Sequence, residues 1–361
     1  MRGLPFGFAS LAMLFLAWLP TASAASAQDN FAQREPLLIP VEETRGQQFH
    51  RISAADGLSQ THVMEIIQDD LGFIYFGTQY GLNRYDGYNF KLYVHEPGNA
   101  QSAAGAYVNS LFKDKAGSIW VGWSRGLDRL DPRTGKFTHY FDKDRGPQSA
   151  VTIMHISQDR TGMLWLATGS GLRGFDPASN AVLQYRHTDD PKSLPSDDVN
   201  WTGEDSKGRF WIGTNKGLSQ FDRSSGTVLR TFPMADPYLV KLFEDRSGQF
   251  WIIKATGIGL ALFDPEQNTI TPYSYYKEKR DTKEINGIVR IAEDPEGNLW
   301  LAAPRTGLLR LDSDRKRFRR YSHRPQDMHS IAQDAVISVF HDRDGSIWTG
   351  LNSEGVNYFG K

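Results

Sequence analysis

Seven copies of one short phrase govern this chain: an aspartate, two residues, a glycine, two more residues and an aromatic ring. They are Asp69…Gly72…Tyr75, Asp114…Gly117…Trp120, Asp159…Gly162…Trp165, Asp205…Gly208…Trp211, Asp245…Gly248…Trp251, Asp294…Gly297…Trp300 and Asp342…Gly345…Trp348. The glycines follow one another at intervals of 45, 45, 46, 40, 49 and 48 residues. So regular a period belongs to a repeat architecture, in which no copy buries its apolar face alone and neighbours must stack. Residues common to every copy build the copy. Residues that differ at equivalent positions are where a single site is written.

Each copy reads as four short strands. In the second, Tyr107–Phe112 is mixed, Asp114–Gly117 turns, and Ser118–Gly122 is mostly apolar. Ser124–Gly126 turns again, Leu127–Leu130 alternates, Asp131–Gly135 turns, and Phe137–Tyr140 ends the copy. Aspartate bonds its own backbone two residues on, and glycine supplies positive φ. Four antiparallel strands per ~45 residues is the blade of a β-propeller. Apolar spacing of three and four, which helical repeats need, occurs only near the amino terminus. The expected fold is therefore all-β: a seven-bladed β-propeller with four antiparallel strands per blade. The seventh copy supplies three strands before Lys361. Phe49-His50-Arg51-Ile52 fits the fourth-strand pattern of Phe90…Tyr93, Phe137…Tyr140 and Phe318…Tyr321. An N-terminal strand should thus join the last blade and close the ring, removing two exposed sheet edges.

Residues 1–27 read as a secretory signal peptide: Arg2, an apolar stretch from Leu4 to Leu19, Pro20, then Ala22-Ser23-Ala24 and Ala25-Ser26-Ala27. The apolar stretch is shorter than the ~20 residues of a spanning helix. Residues 28–46 form an N-terminal lead and 47–361 the propeller. The expected location is the periplasm. Net charge is -1, from 41 basic and 42 acidic residues, so no global field draws the chain to nucleic acid. The chain has no cysteine, which excludes disulfides, thiolate metal sites and cysteine nucleophiles.

The phrases resemble the two-component regulator propeller family. Asp56-Gly57-Leu58-Ser59-Gln60, Gln68 to Thr78 and Gly81-Leu82-Asn83-Arg84-Tyr85-Asp86-Gly87 carry the resemblance, which extends over residues 47 to 359. It implies a periplasmic ligand-binding sensor domain of a bacterial hybrid histidine kinase or diguanylate cyclase. A membrane-bound kinase or cyclase is then the expected partner, in cis or in trans, because no kinase or cyclase motif stands in these residues. The ending at Gly360-Lys361 favours a truncated receptor. The repeat also resembles propeller lyases that open streptogramin antibiotics, which leaves a lyase as one alternative and a protein-binding scaffold as another.

Candidate site residues come from comparing copies. Seven residues before each turn glycine stand Glu65, Ser110, His155, Trp201, Lys241, Arg290 and Ser338. On the innermost strand these are expected to line the axial channel. Nine residues before it stand Val63, Val108, Ile153, Val199, Leu239, Ile288 and Val336, all apolar. The loops between second and third strands vary too. From them, Gln79, Tyr80, Trp123, Arg125, Ser170, Asn215, Lys216, Arg305, Asn352 and Glu354 are the expected ligand-binding residues. Cationic and aromatic groups there suit a small polar or carbohydrate-like ligand carrying carboxylates. No catalytic residue, cofactor or metal is expected. Asp342-Arg343-Asp344-Gly345 resembles part of a calcium loop, but no glutamate closes its twelfth position. The basic cluster Arg315, Lys316, Arg317, Arg319, Arg320 and Arg324 is expected to be a solvated hairpin.

Overall fold

The computed structural model describes residues 32–141, 151–234, 240–256, 259–276, 282–284 and 287–360. The signal segment, Leu239 and Lys361 lie outside them. Three strands precede the repeats: β1 (Ala32–Gln33), β2 (Leu37–Glu43) and β3 (His50–Ile52). Unit 1 is β4 (Val63–Gln68), β5 (Ile74–Thr78), β6 (Leu82–Tyr85) and β7 (Phe90–Tyr93). Unit 2 is β8 (Val108–Lys113), β9 (Ile119–Trp123), β10 (Leu127–Asp131) and β11 (Lys136–Tyr140). Unit 3 is β12 (Ile153–Gln158), β13 (Leu164–Thr168), β14 (Gly171–Phe175) and β15 (Val182–Tyr185). Unit 4 is β16 (Val199–Glu204), β17 (Phe210–Thr214), β18 (Gly217–Asp222) and β19 (Thr227–Pro233). Unit 5 is β20 (Val240–Glu244), β21 (Phe250–Lys254), β22 (Leu260–Asp264) and β23 (Thr269–Tyr276), with β24 (Thr282–Glu284) beside the last. Unit 6 is β25 (Arg290–Glu293), β26 (Leu299–Ala303), β27 (Gly307–Leu311) and β28 (Phe318–Tyr321). Unit 7 is β29 (Val336–His341), β30 (Ile347–Leu351) and β31 (Val356–Phe359).

The architecture is all-β and antiparallel within each unit, and the unit count is consistent with seven blades. β3 pairs with β31 in antiparallel register, His50 opposite Tyr358 and Ile52 opposite Val356. That completes the fourth strand of unit 7 from the amino-terminal side. Every second strand is buried along its whole length. The apolar cores lie between units. Tyr75 and Leu82 pack with Val108 and Val121, and Trp120 packs with Ile153 and Phe175. The sequence of junctions returns to its start where Trp348 and Val356 pack with Val63 and Phe76.

The repeated phrase has one physical explanation. In unit 2, one oxygen of Asp114 accepts the N–H groups of Ala116 and Ser118, at 3.0 and 2.8 Å. The other accepts the Trp120 indole N–H at 2.8 Å. The same indole bond joins Trp165 to Asp159, Trp211 to Asp205, Trp251 to Asp245, Trp300 to Asp294 and Trp348 to Asp342, at 2.7–2.9 Å. Tyr75 substitutes a phenol donating to Asp69 at 3.1 Å. Each aspartate folds the turn and satisfies the polar atom of a buried ring.

The residue after that aspartate latches the next unit. The backbone N–H of Lys115, Arg160, Ser206, Arg246 and Arg343 donates to the side chains of Gln158, Glu204, Glu244, Glu293 and Gln68 respectively, at 2.6–3.0 Å. Between units 6 and 7 the donor position is Pro295, which has no N–H, and the acceptor position is His341.

β2 ties units 5 and 6. Leu37–Pro40 runs parallel to β23 and Val41–Glu43 runs parallel to β28. The basic hairpin is consequently not a solvated face. Arg317 pairs with Glu42 at 3.1 Å and Arg320 with Glu43 at 3.2 Å. Arg315 reaches Asp245 at 2.8 Å, Arg319 lies 3.3 Å from Asp312, and Arg324 pairs with Asp327. Most of the cluster's charge is paired within the molecule, while Lys316 and Arg317 stay exposed.

Candidate functional site

Antiparallel alternation puts every second-to-third loop on one face, opposite the aspartate turns. Three of these loops are fixed by a buried threonine. The hydroxyls of Thr78, Thr168 and Thr214 accept the backbone N–H of Tyr80, Ser170 and Lys216, each at 3.1 Å. They donate to the carbonyls of Gly81, Gly171 and Gly217 at 3.0, 2.6 and 3.3 Å. The rim is therefore held by hydroxyl–backbone turns. Gln79, Tyr80, Arg125, Asn215, Lys216, Arg305, Asn352 and Glu354 are exposed, and Ser170 is half-buried. The side chains of Arg125, Lys216 and Arg305 have no hydrogen-bond or ion-pair partner among the described residues. Asn352 is placed by its carbonyl, 2.8 Å from Nδ1 of His62.

Trp123 does not belong to this rim. It is 1% exposed and packs in the core between units 1 and 2, with Ala103, Val108 and Leu130. It stands at the end of β9 where other units carry the turn threonine. Gly105 lies against its ring, and a Cβ there would come within 3.0 Å of the indole. Arg125 and Arg305 sit on units 2 and 6, which are not neighbours. The described contacts join none of the expected rim residues into one pocket.

The inner strands converge on the axis, but not as simple alternation requires. In units 1, 2, 3, 4 and 7 the register slips between the residues nine and seven before the turn glycine. This bulge re-aims the side chain that follows it. Ser110 and Ser338 are too short to project into the channel and are 2% and 1% exposed. A Cβ at Gly122 would meet Oγ of Ser110 at 2.3 Å, and one at Gly350 would meet Oγ of Ser338 at 2.2 Å. Ser338 donates to the Val63 carbonyl of the next unit at 3.1 Å. These two serines are inter-unit fillers, contrary to expectation.

The larger side chains of the set do meet. Arg290 of unit 6 bonds Glu65 of unit 1 through Nη2, passing unit 7, whose small Ser338 is tucked away. Lys241 of unit 5 donates to the Val289 carbonyl at 3.1 Å, and Nη1 of Arg290 donates to that same oxygen at 3.0 Å. His155 packs against Trp201, ring centroids 5.8 Å apart, and its Nδ1 accepts the Thr202 N–H at 3.4 Å. Each of these side chains is only half-buried by accessible area although protein surrounds it, as expected in a channel. Burial, then Arg290, holds Lys241 well below the ordinary ammonium range, against the opposing pull of Glu65. Burial, then Lys241 and Arg290, does the same to His155. The neutral imidazole of His155 is thereby favoured, and among the described residues its recorded hydrogen bond is to the Thr202 backbone rather than to a carboxylate.

On the opposite face, a cavity of about 530 Å³ is lined by Lys113, Arg246, Pro295, His341 and Arg343, with Asp69 and Asp342. Both aspartates are engaged by their own turns. Sequence reasoning missed this mouth. Its signal was the basic residue following the turn aspartate in several copies.

Residues 193–216 match the two component regulator propeller family. A 54-residue stretch is 43% identical to Histidine kinase P4 of Formosa agariphila, covering 15% of this chain and 4% of that protein. The extracellular domain assigned to a hybrid two component system of B. thetaiotaomicron superposes with a TM-score of 0.74 at 26% identity, over 87% of this chain and 42% of that one. The extracellular domain assigned to a one component system of B. thetaiotaomicron gives 0.70 at 20% identity, over 87% and 40%. The chain thus spans less than half the length of these sensor structures. Virginiamycin B lyase from Staphylococcus aureus gives 0.65 at 14% identity, over 88% of this chain and all of that one, a likeness of fold alone. No helix among the described residues is long and apolar enough to cross a membrane. One copy matches the two component regulator propeller model, the same turn phrase stands on all seven units, and the propeller fold is shared with the extracellular domain of a hybrid two component system.

Proposed function

We propose that the chain is a ligand-sensing module, exported to the periplasm behind a cleaved signal peptide at residues 1–27. It binds and performs no chemistry. It reports to a membrane-bound histidine kinase or diguanylate cyclase, in the same polypeptide or a partner. The observation that carries this reading is the rim: Arg125, Lys216 and Arg305 stand exposed on one face, without partners among the described residues. Charges held on a rigid scaffold and left unneutralised suit an anionic ligand, since guanidinium grips carboxylate with two parallel bonds. Tyr80, 54% exposed on its threonine-locked turn, adds a flat apolar surface for a sugar ring. The ligand class is a small polar or carbohydrate-like molecule bearing carboxylates.

Thermal melting against a panel of acidic and neutral oligosaccharides tests this reading, because a ligand of the folded state raises the midpoint. An acidic member should raise it. Arg125→Ala together with Arg305→Ala should abolish the rise and leave the unliganded midpoint in place. A rise that survives the double substitution would remove the rim from the binding site.

A further inference from the structure

We propose that the axial channel is a binding site for a small carboxylate anion, held between Lys241 and Arg290. The site is separate from the rim on which the sensing reading rests, and it does not depend on that reading.

The geometry points there through a mismatch of charge. Two cationic groups from adjacent units, the Lys241 ammonium and the Arg290 guanidinium, donate to a single neutral acceptor, the Val289 carbonyl oxygen. One carboxylate, Glu65, stands in this group, and it bonds Arg290 from across the ring. Lys241 carries three N–H donors and uses one of them among the described residues. His155 and Trp201 complete the wall without adding negative charge. On adjacent unit 7 the hydroxyl of Ser338 is buried at the unit junction, where it donates to the Val63 carbonyl. Like charges held this close in protein repel, and an enclosed ammonium without a counter-charge is costly. The depressed proton affinity of Lys241 is the physical expression of that deficit.

A carboxylate answers the arrangement better than a halide. Its two oxygens can each accept from a different donor, one from Lys241 and one from Arg290, while Glu65 keeps Nη2 of the guanidinium. The ion enters without covalent change, and its negative charge favours the protonated form of Lys241. The cavity on the turn face carries Arg246, Arg343 and Lys113 beside Asp69 and Asp342, whose carboxylates are bonded in their own turns, and would favour entry of anions.

The experiment uses the purified protein at constant ionic strength and pH, with sodium acetate, sodium chloride and the neutral ester methyl acetate as probes. Acetate should raise the melting midpoint by a few degrees over chloride, and methyl acetate should not. Line broadening of ¹³C-labelled acetate reports binding directly. Lys241→Met should remove both signals. Glu65→Gln should strengthen them several-fold, because it frees Arg290 from the competing carboxylate; a residue that merely braced the fold would not do so. Arg125→Ala with Arg305→Ala should leave the acetate response intact, which separates this site from the rim. Equal shifts with acetate and chloride would mean general salt screening and overturn the proposal. A response that persists in Lys241→Met would overturn it too. Should that variant fail to fold, an acetate affinity in Glu65→Gln no higher than in the parent is equally fatal.

Discussion

At Asp245 five donors converge on two oxygens: the Ser247 N–H and hydroxyl, the Gln249 N–H, the Trp251 indole and Arg315. Burial acts to raise its proton affinity. The Ser247 hydroxyl, the indole, the Gln249 N–H and Arg315 outweigh it and hold the carboxyl below the ordinary aspartate range. A folded-state value below the unfolded one stabilises fully above that unfolded value, and the contribution is lost as pH falls through the folded value. Asp245→Asn should therefore flatten the acid limb of a stability–pH curve. Asp245→Ala also strands a buried indole N–H and the Arg315 guanidinium, and should cost about 3–5 kcal/mol in urea denaturation at neutral pH. A loss below about 1 kcal/mol, the scale of a surface ion pair, would contradict this account. Turn and ring anchor were both legible in the sequence, since their spacing is fixed within seven residues. The axial pair of Glu65 and Arg290 was legible only as two members of a variable position. Its partners are 225 residues apart, and they meet only once the ring is closed. Ser110 and Ser338 were misplaced because a shared position does not give side-chain reach, and a short serine there stays buried at the unit junction. Trp123 was misread because its loop position says nothing about the depth of the ring.

β2 shows what an element can hide. Leu37-Leu38-Ile39-Pro40-Val41-Glu42-Glu43 carries a proline at its centre, which argues against a strand between two neighbours. The structure accommodates it at the handover: pairing with β23 ends at Pro40, and pairing with β28 begins at Val41. No periodicity in the sequence marks such a switch, so the lead segment gave no hint of joining units 5 and 6. Ile39 and Val41 pack against the core of Trp251, Tyr275 and Phe318. Glu42 and Glu43 meet the arginines of the hairpin. Apolar contact, rather than these part-exposed ion pairs, should provide most of the tie. Val41→Asp should accordingly speed amide exchange in β23 and β28 and cost about 1–3 kcal/mol. Glu42→Gln with Glu43→Gln should cost less than about 1 kcal/mol. Exchange confined to β2 itself in Val41→Asp would show that units 5 and 6 hold together without the strap.

For the whole molecule the decisive element is three residues long. β3 gives unit 7 its outer strand, with His50 stacked on Tyr358 at 5.1 Å and the Asn357 amide donating to the His50 carbonyl at 3.1 Å. Its flanks serve two junctions at once. Phe49 packs with Tyr321 and Val339 between units 6 and 7, and Ile52 packs with Val63 and Trp348 between units 7 and 1. This much was legible before any coordinates, because a repeat that ends one strand short demands a donor, and only one segment upstream of the first copy had the right pattern. Deleting residues 47–53 therefore removes more than a strand. It bares the edge of β31 and opens apolar surface at two of the junctions that make the ring cooperative. Calorimetry should show the single sharp transition replaced by a broad one at lower temperature, and scattering should rise with protein concentration. Ile52→Asp, which keeps the strand's backbone but places a charge in the junction with unit 1, should lower the midpoint without broadening as much. If the deleted protein instead melted as sharply and as late as the parent, closure by the amino-terminal strand would contribute nothing, and each unit would have to be stable through its neighbours alone.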